Sequence, residues 1–110
     1  MESKEFAPAT IMKFNEKVDY SPEGIVSKRI LQKEKGNVSL FAFDKGQQLS
    51  EHSAPFDALV QVLEGEGEIR IDGKSFILLA GESVIMPANI PHAVHAVEKF
   101  KMLLTMIKSE

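Results

Sequence analysis

Two of the three histidines in this chain follow a turn glycine at a short distance. His52 comes after Gly46, and His92 comes after Gly81 and Pro87. Imidazole nitrogens are common ligands of transition metals, and near neutral pH they also accept and donate protons. The pair could therefore hold a metal ion, exchange protons with a substrate, or orient a ligand by hydrogen bonds.

The elements that must position these histidines have the pattern of β-strands. Short segments rich in β-branched and aromatic residues are separated by glycine or proline, and they span 38–43, 58–63, 68–71, 76–79, 83–86 and 102–107. Gly65 and Gly67 are expected in a turn between the second and third of these segments. Asp72-Gly73 predicts a two-residue type I′ hairpin, because both positions of that turn need a positive φ. This regular spacing favours an all-β sandwich or barrel over alternating βαβ units.

The spacing of glycine, proline and histidine resembles the two motifs of the cupin superfamily. In that family the first motif carries two histidines and a glutamate, the second carries a third histidine, and these side chains are the usual metal ligands. His52 and His92 match the first and the last histidine, whereas Ala54 and Ala58 stand where the second histidine and the glutamate would be. The resemblance implies an all-β, RmlC-like jelly roll, in the form of a sandwich or barrel, with degenerate metal-binding motifs.

The same resemblance implies one cupin domain over residues 1–110. Residues 1–37 would supply N-terminal strands and turns, 38–96 the core motifs, and 97–110 a C-terminal strand.

Strand alternation predicts which side chains face the pocket, since residues two apart lie on one face. The predicted lining consists of His52, Ala54, Ala58, Val60, Val62, His92, Val94 and Ala96. In this interpretation the two histidines face each other across a small apolar pocket. His52 and His92 would then form an incomplete metal site, so we expect no tightly bound cofactor and at most a weakly held divalent transition metal.

Other donors could complete the site, but a simpler interpretation exists for each. Asp57 and His95 point by alternation to the opposite face, where a turn-capping or surface role is expected. Met86, Met102 and Met106 carry thioether sulfurs, which are soft ligands suited to copper. Core packing is the simpler interpretation for these methionines.

Composition excludes several classes of protein. The 110 residues are 44% hydrophobic and 26% charged, which is typical of one globular domain. A formal charge of −3 and the lack of a basic stripe argue against nucleic acid. The absence of cysteine excludes disulfides and Cys-ligated zinc. We expect no membrane span and a cytoplasmic location, because no apolar run is long enough and residues 1–6 lack the apolar core of a signal peptide.

Three functions remain open at this point. We favour binding of a small molecule of unknown identity around His52 and His92, with weak or no metal. The first alternative is a metal-dependent or histidine-based enzyme of the dioxygenase, isomerase or lyase kind. The second alternative is a structural module with an idle pocket. A homodimer is also expected, because several strands are apolar on both faces and would otherwise expose an apolar patch.

Overall fold

The computed structural model describes residues 4–108, and in this part of the chain the regular structure is almost entirely antiparallel β. Two short 3₁₀ helices come first, at Lys4–Phe6 and Phe14–Glu16. The strands are β1 (Ile25–Lys33), β2 (Gly36–Phe43), β3 (Gln48–His52), β4 (Asp57–Ile71), β5 (Lys74–Leu79), β6 (Ser83–Met86) and β7 (His92–Ile107). The predicted all-β class is confirmed, while the outermost domain limits, 1 and 110, lie outside the described residues.

The long strands β4 and β7 form the spine of the fold. They pair antiparallel from Asp57 opposite Ile107 to Ile71 opposite His92. One layer contains β2 on the C-terminal part of β7, β1 beside β2, and β6 on the first part of β4. The other layer contains β3 on the N-terminal part of β7 and β5 on the last part of β4. Both layers therefore share the same two continuous strands.

A sharp bend in β4 and β7 separates the two layers. The register between the strands shifts twice near Gly65 and Gly67, where Gly65 has a φ of +84°. A Cβ on Gly65 would lie 2.7 Å from the Cα of Phe100, and a Cβ on Gly67 would lie 2.7 Å from its ring. The expected turn at these glycines is instead part of one strand, because the missing side chains let β4 approach Phe100 closely.

The Asp72-Gly73 hairpin is confirmed. Asp72 has a φ of 51° and Gly73 a φ of 81°, and Ile71 pairs with Lys74 across the turn. Positive φ at both central residues is the requirement of the type I′ turn, whose twist matches that of the flanking strands. The local sequence alone is enough to specify this connection between β4 and β5.

The main core lies between the two layers and is apolar. Its fully buried side chains include Phe43, Val60, Val62, Ile69, Ala96, Phe100 and Met102. The rings of Phe43 and Phe100 stack with their centroids 4.7 Å apart, which closes the core next to the bend.

The N-terminal segment covers the outer face of the layer that contains β2. Leu40 and Ala42 are buried there together with Val18, and Phe6 and Phe14 pack against them. Because these positions alternate with the core-facing residues of β2, they would be exposed without the segment. Neither of the helices in the described residues is long and apolar enough to cross a membrane.

The segment is also held by a buried lysine. The Nζ of Lys101 donates a hydrogen bond to the carbonyl oxygen of Asn15 at 2.6 Å and lies 3.7 Å from Oε1 of Glu64. The hydroxyl of Tyr20 donates to Oε2 of Glu64 at 2.7 Å. Burial, followed by this hydrogen bond and the charge of Glu64, raises the pKa of Tyr20. These contacts satisfy the polar groups enclosed beneath the segment.

Candidate functional site

The two motif histidines are neighbours on adjacent strands. His52, the last residue of β3, pairs in register with His92, the first residue of β7. Their ring centroids are 4.5 Å apart and the rings are inclined by 71°. Strand alternation predicts rings that face each other across a pocket, and the pairing of β3 with β7 corrects this. Side-by-side imidazoles can contact one ligand atom from the same wall.

The ring orientation of each histidine is set by the backbone. Nδ1 of His52 lies 2.8 Å from the carbonyl oxygen of Ser50, and Nδ1 of His92 lies 3.2 Å from that of Ile90. A carbonyl oxygen can only accept, so each Nδ1 carries the proton and donates it. In the neutral ring this leaves Nε2 with a free lone pair, the arrangement in which histidines bind metals or accept protons.

The environment of His92 favours its neutral form. His92 is 5% exposed, whereas His52 is exposed to solvent. Burial first, and then repulsion from the neighbouring His52, lowers the pKa of His92, although the hydrogen bond to Ile90 acts in the opposite direction. His92 is therefore a neutral imidazole at pH 7 and can offer Nε2 as an acceptor.

A small cavity lies between the histidines and the opposite layer. Its volume is about 60 Å³, and it is lined by Leu49, His52, Ala58, Met86, His92, Val94, Met102, Leu104 and Met106. Sites for drug-sized ligands have volumes of about 300–1,000 Å³, whereas one water needs about 10–15 Å³. The cavity therefore has room for a metal ion or for a molecule of a few non-hydrogen atoms.

The bend in β7 is what creates this cavity. His92 precedes the bend and Met106 follows it, yet both line the same space. In a straight strand, which rises about 3.3 Å per residue, these side chains would be tens of ångströms apart. The site thus depends on the close contact of Gly65 and Gly67 with Phe100.

Four of the eight residues predicted to face the pocket line the cavity: His52, Ala58, His92 and Val94. The other four are Ala54, Val60, Val62 and Ala96. Val60, Val62 and Ala96 are buried in the main core and do not line the cavity. Ala54 follows the end of β3, so strand alternation does not apply to it. Contact between any of these side chains and a ligand stays a prediction.

Two hydrogen bonds tie together the loops beside the cavity. The N–H of Asn89 donates to the carbonyl oxygen of Ala54 at 2.8 Å, and the N–H of Ala88 donates to Oδ1 of Asp57 at 2.9 Å. Asn89 has a φ of 64°, a conformation that asparagine tolerates better than most residues. Asp57 thus has the turn-capping role expected of it, and the loops before β4 and before β7 are fixed relative to each other.

The residues of the cavity do not fit the divalent metal that the cupin motifs imply. Within residues 4–108 no group of three or more His, Cys, Asp or Glu side chains could hold a metal ion. His52 and His92 alone would leave a divalent ion without a protein carboxylate, while structural and catalytic zinc sites use three or four protein ligands. Ala58 is buried and offers no donor at the glutamate position.

Methionines surround the position where the carboxylate is missing. On the sheet, Ala58 pairs with Met86 of β6 on one side and with Met106 of β7 on the other. Both side chains line the cavity together with the histidines. Thioether donors are visible in the sequence, but only the pairing of β4 with β6 and β7 brings Met86 and Met106 to one place.

His95 belongs to a separate site on the outer face of the β3-containing layer. Its Nδ1 lies 3.1 Å from Oε1 of Glu68, while Oε2 of Glu68 accepts a hydrogen bond from Ser75 and lies 3.6 Å from the guanidinium of Arg70. The hydrogen bond from Ser75 first, and then His95 and Arg70, lower the pKa of Glu68. These residues adjoin an open groove of about 410 Å³. In this groove Glu68 pairs with both His95 and Arg70.

Two packed layers of antiparallel strands are the architecture of the jelly-roll class. The model of the cupin domain family matches residues 39–108, which is more than half of the chain. The chain therefore belongs to the cupin family, as its motif spacing indicates.

Solved structures agree with this assignment. A conserved protein of unknown function from Streptococcus pyogenes is 36% identical, with a TM-score of 0.92 and coverage of 97% of this chain and 94% of that one. A cupin 2 conserved barrel domain protein from Leptotrichia buccalis is 49% identical, with a TM-score of 0.83 over 86% of this chain and only 46% of that one. A cupin superfamily protein from Desulfitobacterium hafniense, 24% identical with a TM-score of 0.90, covers 99% of this chain and 100% of that one and shares the fold. A comparison with curated proteins found no match.

Proposed function

We propose that this cupin binds a small organic molecule in the cavity beside His52 and His92, with weak or no divalent metal. The observation that supports this most is the pair of imidazoles whose Nδ1 atoms are engaged by Ser50 and Ile90 while Nε2 stays free. An apolar space with a few convergent polar atoms is the usual form of a ligand site.

The size and charge of the cavity narrow the class of ligand. A volume of about 60 Å³ suits a molecule of a few non-hydrogen atoms. With its proton on Nδ1, the neutral ring of His92 presents a hydrogen-bond acceptor at Nε2, so the ligand should carry a hydroxyl or an amide N–H. A carboxylate is disfavoured, because the lining has no lysine or arginine and a buried, unpaired charge is costly.

The enzyme alternatives need further groups. A dioxygenase-like reaction would need a complete metal site, and an isomerase- or lyase-like reaction would use the Nε2 atoms of His52 and His92 for proton transfer. The lining contains no carboxylate to assist that transfer. We therefore place binding before catalysis, and an idle structural pocket last.

Calorimetric titration with small neutral alcohols and amides, and with carboxylates of the same size, tests the proposal. We expect a neutral donor to bind, and expect His52→Ala and His92→Ala to weaken binding by at least about tenfold, the equivalent of one lost buried hydrogen bond. His95→Ala is the matched control, because it removes an imidazole from the outer face. Circular dichroism would establish that each variant is folded. Binding that survives both cavity variants, or that requires His95, would overturn the proposal.

We also propose that the chain forms a homodimer in a cytoplasmic setting. Several large apolar side chains are more than half exposed, namely Leu31, Ile77, Leu79, Ile85 and Ile107. Covering such residues is a common reason for subunit association. Sedimentation velocity at micromolar concentration should give the mass of a dimer, and a monomer would refute this part of the proposal.

A further inference from the structure

The cavity is lined by methionine side chains as well as by the two histidines. Three of the five methionines in the sequence, Met86, Met102 and Met106, are among its lining residues. Met86 and Met102 are 3% and 1% exposed, so their thioethers are shielded from bulk water. Unlike leucine, methionine combines a flexible apolar chain with a soft donor atom.

Two methionines flank the position of the missing carboxylate in the sheet. Met86 and Met106 are the direct sheet neighbours of Ala58, one on each side. Adjacent strands lie about 4.8 Å apart, so two flexible thioethers beside an alanine can reach a common point above it. The side chains of His52 and His92 line the same cavity.

The charge of the site selects the kind of ion. The lining offers imidazole and thioether groups, which are uncharged when they bind a metal, and contains no carboxylate. The free energy needed to remove an ion from water rises with the square of its charge, so it is about four times larger for a divalent cation than for a monovalent one of equal size. Soft monovalent Cu(I) prefers sulfur and imidazole ligands, whereas harder divalent ions prefer oxygen.

We propose that the cavity is a binding site for Cu(I), or for its redox-inert analogue Ag(I). The ligands are Nε2 of His52, Nε2 of His92 and the sulfurs of Met86 and Met106. The backbone hydrogen bonds at both Nδ1 atoms orient the rings for this role. The proposal does not depend on the binding of an organic ligand, so either proposal can fail while the other stands.

A titration of the metal-free protein with Ag(I), followed by NMR of the methionine methyl groups, tests the site directly. The chain has no cysteine, so thiolate binding cannot obscure the result. We expect saturation at one ion per chain, with the Met86 and Met106 methyl signals shifting and the Met12 signal unchanged. A competition assay with a chromogenic Cu(I) chelator would give the affinity.

The double variant Met86→Leu/Met106→Leu separates ligation from packing, because leucine keeps the volume of methionine and is well tolerated in cores. Loss of a group that merely supports a metal ligand costs about 10–100-fold in affinity, so loss of both sulfurs should weaken Cu(I) by at least about tenfold. Met12→Leu is the matched control and should have no effect. Thermal unfolding would show that the variants are folded.

Three results would overturn the proposal. They are the absence of one-to-one binding, an unchanged Cu(I) affinity in the double leucine variant, and an affinity for Zn(II) equal to that for Cu(I). If the double variant does not fold, the methyl shifts of the unmodified protein decide the question on their own.

Discussion

Replacing Gly65 by alanine tests the bend that brings His92 and Met106 to one cavity. Gly65 has a φ of +84°, and an added Cβ would lie 2.7 Å from the Cα of Phe100 and still closer to the carbonyl oxygen of Lys99. Both obstacles are backbone atoms, so no side chain can rotate away to relieve them. Substitutions at Gly73 and Gly67 separate the two causes of this destabilisation, backbone strain and steric crowding.

Gly73→Ala measures the backbone component alone, because Gly73 has a φ of +81° and open space around it. That conformation costs an L-residue about 1–2 kcal/mol. Gly67→Ala measures crowding alone, because its Cβ would lie 2.7 Å from the ring of the fully buried Phe100. Overpacking of this kind costs about 1–3 kcal/mol. Gly65→Ala combines both effects, so we expect a loss of about 2–5 kcal/mol or more.

Urea unfolding of the three variants gives these free energies, provided that the slope of each transition is unchanged. The total stability of a domain is about 5–15 kcal/mol, and 1 kcal/mol shifts the Tm of a domain this size by about 4–8 °C. The expected order of destabilisation is Gly65→Ala first and Gly73→Ala last. A Gly65→Ala variant as stable as Gly73→Ala would refute the close approach to Phe100. If Gly65→Ala does not fold, Gly67→Ala still measures that contact.

Three further predictions concern charges in the cavity and in the outer groove. In the metal-free protein, imidazole ¹⁵N NMR should show a pKa of His92 below its ordinary value, because of burial and the nearby His52. The contribution of His92 to the free energy of unfolding is then full above the ordinary pKa and is lost as the pH falls through the lowered pKa. A normal pKa for His92 would contradict this. Ser75→Ala should raise the pKa of Glu68 in carboxyl ¹³C NMR by removing its hydrogen-bond donor, and an unchanged pKa would show that the hydroxyl contributes nothing. Ala58→Glu should destabilise the metal-free protein, because it buries a carboxylate, and Zn(II) should then raise the Tm of the variant. A Tm that does not respond to Zn(II) would indicate that the cavity is not the position of the metal in this family.

Local chemistry explains why parts of the fold are readable from the sequence. The Asp72-Gly73 turn was predicted correctly, because the positive φ values depend on those two residues alone. Gly65 and Gly67 were misinterpreted, because glycine also signals a strand that approaches another chain segment closely. Their partner, Phe100, is distant in the sequence and can be identified only in the folded structure.

In the candidate site, too, local features can be predicted from the sequence, whereas contacts between distant segments cannot. Motif spacing was enough to assign His52 and His92 to one cavity, but not to show that they pair side by side, since that depends on the register between β3 and β7. Because β3 ends at His52, strand alternation gives no orientation for Ala54. The placement of methionines around Ala58 likewise follows from strand pairing, which a single sequence does not contain.

The most direct test of the binding site is an experimental electron-density map of the untagged protein, crystallised with the tightest-binding neutral molecule from the calorimetric series. We expect density for that molecule in the cavity, within hydrogen-bond distance of Nε2 of His52 and Nε2 of His92. A molecule located in the outer groove beside Glu68 and His95, with the cavity closed by its own side chains, would contradict the proposed function.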